Sequence, residues 1–319
     1  MMPSRTALII GHTGQDGTLL SEYLRKNGYE VVGISRSSVD VPGISTPLDL
    51  TRSDRAAELI LATRPAEVYY LAAFHHSAEE SSQTDNDEVL RRSLDVHVLS
   101  LQRVLSAIQE YSPRTRLFYA ASSHVFGPGA GKPFNEDSPL EPGCIYGLTK
   151  TAGTHLCRYY RNTHGLYVTV GFLFNHESSL RKPQFLSRKI ASAAASIHAT
   201  HTGRLALGNL DAQVDWGYAP DFVTAMQLAL TLPTGEDFVI ATGEQHTVAE
   251  FAEIAFSAAG LDWNDWVDVR PGTVVKQQPM RVGDARKLRR LTGWAPSVSF
   301  AEMVKLLVEG EIRRQPPSR

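Results

Sequence analysis

Hydrophobic residues in the first forty positions change their spacing twice. Thr6 to Ile10 (TALII) is a continuous apolar run that stops at Gly11. From Thr18 to Asn27 the apolar residues fall at Leu19, Leu20, Tyr23 and Leu24, the spacing of one helical face. Gly28 then stands where a helix C-cap would, and a second run, Tyr29 to Ile34 (YEVVGI), follows it. Strand, tight turn, helix and strand make one βαβ unit, whose two strands run parallel. The alternation continues with a helical stretch from Arg52 to Arg64, a strand at Val68 to Leu71, a long helix around Val89 to Gln109 and a strand at Leu117 to Ala120. A helix at Tyr146 to Tyr160 and a strand at Tyr167 to Phe172 close the series. Strands separated by helices predict an α/β fold with a doubly wound parallel sheet, essentially complete at Phe172.

Beyond Asn175 the pattern loosens into shorter elements. A small-residue helix runs from Pro183 to about Ala199, a Gly-rich stretch spans Gly203 to Gly217, and helices fall near Asp221 to Leu230 and Val248 to Ala259. We read a sheet domain over residues 1–174 and a smaller lobe over 175–319. The boundary is soft, because no Pro/Ser-rich linker separates the halves and later elements can pack back on the sheet. There is no internal repeat or low-complexity segment.

The 319 residues are 42% hydrophobic and 21% charged, an ordinary globular composition that excludes a disordered chain. Against 32 Lys+Arg stand 34 Asp+Glu, a net charge of −2 with no long block of like charges. That leaves no footprint for nucleic acid or an anionic membrane, and points to a small-molecule partner. Two cysteines, Cys144 and Cys157, are too few to staple the chain, and no charged-then-apolar leader precedes Thr6. A reduced, cytoplasmic protein is expected. No apolar run approaches the roughly 18 residues of a membrane span.

The first turn reads Gly11-His-Thr13-Gly14-Gln15-Asp16-Gly17. Glycines at this spacing let the backbone turn sharply, approach a pyrophosphate closely and bring the next helix against the strand with its N-terminus toward the phosphates. Three glycines alone are a weak signal; their place between strand and helix in a βαβ unit makes it a dinucleotide site. At the end of the second strand stands Arg36-Ser37-Ser38, with no carboxylate for ribose hydroxyls. A guanidinium fork with hydroxyls beside it suits a 2′-phosphate, which favours NADP. A solvated Arg36 in a pocket open to NAD as well is the alternative.

Tyr146-Gly-Leu-Thr-Lys150 puts a phenol and an ammonium on one helical face. A Lys beside a Tyr favours the phenolate and makes the Tyr a proton shuttle. Ala120-Ala-Ser122-Ser123-His124, rich in hydroxyls, directly follows a strand.

With those residues in view, the chain resembles an extended short-chain dehydrogenase/reductase of nucleotide sugars, and more narrowly the GDP-mannose 4,6-dehydratase family. Gly14-Gln-Asp-Gly17, Phe172-Leu-Phe-Asn175-His-Glu-Ser178, Arg188-Lys-Ile190, Leu207-Gly-Asn-Leu-Asp211 with Asp215-Trp-Gly217, and Phe300-Ala-Glu-Met-Val304 carry the resemblance over almost the whole chain. It implies a Rossmann domain for NADP and a lobe for a nucleoside-diphosphate sugar. It also implies oxidation at C4, loss of water across C5 and C6, and hydride return to C6. Tyr146 would take the C4 hydroxyl proton, Lys150 would hold the nicotinamide ribose, and Ser122 and Ser123 match the family's hydroxyl pair. On the cofactor side the resemblance places Gly11, Thr13, Gly14, Gln15, Asp16, Gly17, Arg36, Ser37, Asp49, Leu50, Leu71, Ala72, Ala73, Leu173 and His176. On the substrate side it places Asn175, Lys189, Leu207 and Asn209.

Four positions depart from that pattern. His124 stands where the family has the Glu that removes the C5 proton. Either the imidazole performs that step, or the protein only reduces, oxidises or epimerises at C4, or His124 merely fills the site. Val214 replaces an Arg that would clamp diphosphate, and Val274 and Gln277 fall where an Arg-Pro-x-Glu pairing is expected unless an insertion lets Arg270-Pro271 serve. Arg181, Lys182 or Arg281 could supply the missing charge. A catalytically silent NADP-binding relative is the reading from another class. The short segment Val39 to Leu48 makes a homodimer as well placed as a homotetramer. Among the 11 histidines, adjacent His75 and His76 cannot easily share an ion and the rest lack helical pairing with a carboxylate or thiol, so no metal is expected. No His or Asn constellation is visible around Cys144, so it is read as an inert thiol.

Overall fold

A computed structural model of the chain describes residues 5–35, 49–50, 55–74, 85–128, 131–269 and 281–315. The first half alternates as its periodicity predicts. In order come β1 (Thr6–Ile10), α1 (Gln15–Lys26), β2 (Glu30–Ile34), α2 (Arg55–Thr63), β3 (Glu67–Tyr70), α3 (Asn86–Leu94), α4 (Ser100–Tyr111), β4 (Arg116–Ser122), α5 (Ile145–His164) and β5 (Val168–Leu173). The long helix expected around Val89 to Gln109 is two helices joined by a π turn over Asp95–Leu99. The C-cap of α1 is Asn27, and Gly28, with φ +81°, stands one residue past it rather than at the cap itself.

The second half adds β6 (Asn175–Glu177), α6 (Leu186–Thr200), β7 (Leu205–Leu207), β8 (Gln213–Val214), β9 (Trp216–Tyr218), α7 (Ala219–Ala229), β10 (Asp237–Ile240), β11 (His246–Thr247), α8 (Val248–Ala258), α9 (Trp263–Trp266), β12 (Val267–Val269), α10 (Arg286–Thr292) and α11 (Phe300–Arg314). The main sheet has the order β2-β1-β3-β4-β5-β10 and is parallel throughout. The expectation that it is complete at Phe172 is therefore corrected. Asp237–Ile240 adds a sixth strand along β5, because Phe238 and Ile240 face one buried layer while Val239 faces the other.

Both faces of the sheet are covered, so its strands alternate between two apolar layers rather than between core and water. Leu8 and Ile10 of β1 pack in the layer with α2, α4 and α5, and Ala7 and Ile9 pack in the layer with α1, α7 and α10. A third core joins α6, α8 and α11 with Trp216 of β9 and Leu205 and Leu207 of β7. In sequence these elements interleave with α7, β10 and α10, which lie on the sheet. Strand order reverses between β1 and β3, the place where a doubly wound sheet opens a crevice at the carboxyl ends of its strands. Among the described residues no helix is long and apolar enough to cross a membrane.

Candidate active site

The crevice is built first from the turn after β1. Gly11 has φ +97°, and a Cβ there would lie 2.8 Å from the backbone N of Ala72. A Cβ on Gly17 would lie 2.4 Å from Gly11 O and from His12 Cα. The turn therefore folds tightly under the N-terminus of α1 and against the loop after β3, which carries Leu71, Ala72 and Ala73. Thr13 and Gly14 are exposed on its outer side. That close cradle at a helix N-terminus fits a pyrophosphate.

Gln15 and Asp16 tie the turn to the second half of the chain. Gln15 donates to His176 O at 3.1 Å and accepts from Ser178 Oγ at 2.9 Å. His176 Nε2 lies 3.0 Å from both Asp16 oxygens, and its Nδ1 lies 2.6 Å from Phe174 O. Burial pushes the Asp16 carboxyl up, but the His176 charge and hydrogen bond outweigh it and hold Asp16 below the usual range. For His176, burial depresses the imidazolium, and Asp16 more than restores it. The ring also stacks on Phe222, with centroids 4.6 Å apart.

Opposite the turn, β4 ends in Ser122, and Ser123 and His124 follow in a 3₁₀ turn over Ser123–Val125. Ser122 Oγ accepts from His124 N at 3.2 Å, and its hydroxyl lies near enough to the Tyr146 phenol to favour ionisation. A Cβ on Gly147 would lie 2.2 Å from His124 O, so α5 runs hard against this turn. Tyr146 meets the His124 ring edge-on at 5.8 Å. One helical turn on, Lys150 is fully buried, donates to Ala120 O at 2.7 Å, and lies 5.8 Å from the Tyr146 ring centroid. Burial pulls the Lys150 ammonium down to about 7. Burial pushes the Tyr146 phenol up, opposed chiefly by the Arg181 charge.

The spacing of the sequence thus brings Ser122, Ser123, His124, Tyr146 and Lys150 into one cluster. Leu173 ends β5 and is buried in the layer under α1 and α7, and Asn175 opens β6 beside it. Lys189 lies on α6, Leu207 ends β7 in the third core, and Asn209 is exposed with its side chain accepting from Asp211 N. Leu50 is buried beneath the crevice, where Arg103 donates to its carbonyl, and Asp49 next to it is exposed. Arg36, Ser37 and Ser38, the basis of the NADP expectation, lie outside the described residues, as do His75, His76, Arg270, Pro271, Val274 and Gln277.

Three residues have roles that the motifs did not assign. Arg181, one of three spare cations, lies close enough to act electrostatically on both Tyr146 and Asp16, and pairs with Glu177 at 3.1 Å. Arg281 reaches Phe126 O at 3.2 Å and is held near Cys144. The reading that no histidine neighbours Cys144 is corrected: folding brings His124 Nδ1 to 3.8 Å from its Sγ, twenty residues away in sequence. Val214 itself pairs in β8 against β11 and packs on the third core. Among the described residues no group of His, Cys, Asp and Glu is placed to hold a metal.

Solved structures share this architecture at low sequence identity. RMD from Pseudomonas aeruginosa in complex with NADPH superposes with a TM-score of 0.82 at 21% identity, covering 98% of this chain and all of that one. UDP-glucose 4-epimerase from Thermus thermophilus in complex with NAD gives 0.81 at 23% identity, with 96% of this chain and 98% of that one covered. Sequence relatives are nearer. GDP-mannose 4,6 dehydratase 2 of Arabidopsis thaliana is 36% identical, over 97% of this chain and 87% of its own. GDP-mannose 4,6 dehydratase of Homo sapiens is 32% identical, over 97% and 92%. Residues 8–307 match the family model described as GDP-mannose 4,6 dehydratase, and with relatives at that identity over nearly the full length, the chain belongs to the GDP-mannose 4,6-dehydratase family.

Proposed function

We propose that the protein is an NADP-dependent nucleotide-sugar 4,6-dehydratase acting on GDP-mannose or a close relative of it. One observation carries this reading: a phenol close to Ser122, a second base at His124 and a buried ammonium at Lys150 share the carboxyl end of the sheet, facing a dinucleotide-type turn. Gly11, Gly17, Asp16 and Lys150 would hold the cofactor, with Arg36 and Ser37 on its 2′-phosphate. NADP, when bound, supplies a hydride acceptor for C4 and a hydride donor for C6.

The chain's own groups move the protons. Tyr146 accepts the C4 hydroxyl proton while Ser122 holds the oxygen. Lys150, its Nζ already donating one N–H to Ala120 O, keeps two for ribose hydroxyls, while the Arg181 charge opposes the burial that raises the phenol. His124 accepts the C5 proton, and its conjugate acid helps to expel the C6 hydroxyl. Asn175 and Lys189 grip the diphosphate, and Arg181 and Arg281 supply the charge that Val214 lacks. The imidazole at 124 also supports a second reading, a 4-ketoreductase, 4-dehydrogenase or 4-epimerase, since that chemistry needs Tyr146 and Lys150 but no second base.

Incubation with GDP-mannose and NADP followed by mass spectrometry separates the two. A 4-keto product lacking one water supports dehydration. Turnover confined to a 4-keto substrate, or to another sugar nucleotide without loss of water, overturns it.

The same reading includes a homodimer or homotetramer in the cytoplasm. Its support is a set of exposed apolar side chains, Leu94, Leu99, Leu148 and Tyr159, on α3, the π turn and α5, which pack against one another. Leu148 and Tyr159 lie three turns apart on one face of α5. Both cysteines are free thiols, as a reducing compartment would leave them. Sedimentation as a monomer would remove the assembly proposal.

A further inference from the structure

The π turn over Asp95–Leu99 inserts extra backbone into what would be one continuous helix, and it is held open from two sides. Ser100 Oγ donates to Asp95 O at 2.7 Å, and the Tyr70 hydroxyl donates to Val96 O at 2.5 Å. Such bulges often serve to re-aim one side chain at a functional site. Here that side chain is His97, which is completely buried between β3 and the catalytic helix.

The hydrogen bonds fix its tautomer. The backbone N–H of Phe74 points at Nε2 from 2.9 Å, and an amide N–H can only donate, so Nε2 carries a lone pair. The proton of the neutral ring is therefore on Nδ1, and it is donated to Thr149 Oγ1 at 2.8 Å. Thr149, itself fully buried, passes its hydroxyl proton back to the carbonyls of Ile145 at 3.1 Å and Tyr146 at 3.2 Å. The imidazole meets the Tyr146 ring edge-on at 5.4 Å. One ring thus spans the loop that follows β3 and the first turn of α5. Phe74 ends the Leu71–Ala73 segment that backs the Gly11 turn, and Thr149 sits between Tyr146 and Lys150.

We propose that His97 is a positioning residue: as the neutral Nδ1–H tautomer it locks Tyr146 to the loop on which the cofactor rests, so that phenol and cofactor keep a common frame. The proposal rests on the dehydratase reading for its kinetic arm, but its tautomer and its effect on cofactor binding do not depend on which sugar is turned over. Gln is the informative replacement. Its amide oxygen can accept from Phe74 N–H and its amide N–H can donate to Thr149, whereas Leu fills similar space and does neither.

The test compares wild type, His97→Gln, His97→Leu and Thr149→Val. With GDP-mannose, His97→Leu and Thr149→Val are expected to lower kcat by about 10- to 100-fold, since small misplacements at a reacting centre cost that much, with KM for the sugar within about twofold. His97→Gln is expected to recover most of the loss. Binding of NADP alone, by fluorescence titration, should weaken several-fold in His97→Leu and not in His97→Gln. Nitrogen-15 correlation spectra of the ring should show a neutral Nδ1–H imidazole. Equal losses in Gln and Leu, a lower melting temperature with unchanged kcat, or an Nε2–H ring would overturn the proposal. If the wild type does not turn over GDP-mannose, the dehydratase reading fails alone, and the tautomer and NADP titrations still decide the role of His97.

Discussion

Asp16 and His176 form a buried ion pair across the cofactor turn, with Nε2 3.0 Å from each carboxylate oxygen and neither partner more than a fifth exposed. The pair joins the N-terminus of α1 to β6. Nδ1 is occupied by Phe174 O and Nε2 by the carboxylate, so both ring nitrogens donate and the ring is an imidazolium.

A pH window follows from the signs of the two shifts. The carboxyl is held below its ordinary 3.8, so its contribution is present above that pH and is lost as pH falls through the folded value. The imidazole is held above its ordinary 6.5, so its contribution is full below that pH and is lost as pH rises through the folded value. Asp16→Asn should therefore lower the melting temperature most between about pH 4 and 6.5, with a cost on the order of 3 kcal/mol for breaking a buried pair. The deficit should shrink in alkaline buffer. Thermal melts of wild type and variant across pH check this; a deficit independent of pH would contradict the pair's charge.

Lys150 couples function to instability. Burial lowers its ammonium from 10.5 to about 7, so the folded protein sheds a proton that the unfolded chain keeps. Between those values stability rises with pH, and below about 7 the full penalty applies. That penalty is on the order of 5 kcal/mol, less about 1 to 2 kcal/mol for the Ala120 O left without its donor in a variant. Lys150→Met should consequently melt above wild type at pH 6, converge with it toward pH 10, and lose about 10²- to 10⁴-fold in turnover. Saturating NADP should narrow the gap by stabilising wild type more. A variant that melts lower at pH 6 would show that the buried ammonium is compensated.

How much of this is legible in the sequence depends on how local the cause is. The Gly11-Gly14-Gly17 turn and the Tyr146-Lys150 face are set by neighbours within one turn of backbone, and periodicity alone places them on the right elements. Asp237–Ile240 lies where the regular alternation of strands and helices has already loosened, and it becomes a strand because β5 offers it an open edge. The π turn leaves no periodic trace either, since it shifts the apolar face by one residue within a helix that looks continuous. His97 and the Cys144–His124 contact are illegible for a different reason: their partners lie 23 to 52 residues away for His97 and 20 away for Cys144. Val214 reads as a missing charge in sequence and as an ordinary packed strand residue in the fold.

His124 is the position where the reaction divides. Removing its basicity should leave C4 oxidation intact and stop the loss of water. His124→Gln is expected to show reduced-cofactor absorbance on mixing with GDP-mannose and NADP, with formation of the dehydrated product about 10²- to 10⁴-fold slower. His124→Glu restores a carboxylate base and should recover dehydration. Stopped-flow absorbance with product analysis measures both halves. Parallel loss of the absorbance change and of dehydrated product in His124→Gln would assign His124 to the first step instead.

The contact between α5 and the 3₁₀ turn gives the last prediction. A Cβ at Gly147 would lie 2.2 Å from His124 O and 3.0 Å from His124 C, both backbone atoms that cannot swing aside. Gly147→Ala must therefore push the first turn of α5 away from Ser123–Val125, and with it Tyr146 away from Ser122 and His124. Since a displacement of about 1 Å at a reacting centre can cost about 10²-fold, kcat should fall by that order. The melting temperature should fall as well, because the loss of close packing is spread over Gly147 and Pro142. Gly143→Ala supplies the control, since a Cβ there meets nothing within 4 Å and should leave both quantities unchanged. If Gly147→Ala keeps wild-type kcat while Gly143→Ala also does, the distance between the helix and the turn does not set the catalytic geometry, and the alignment of Tyr146 must come from Lys150 and His97 alone.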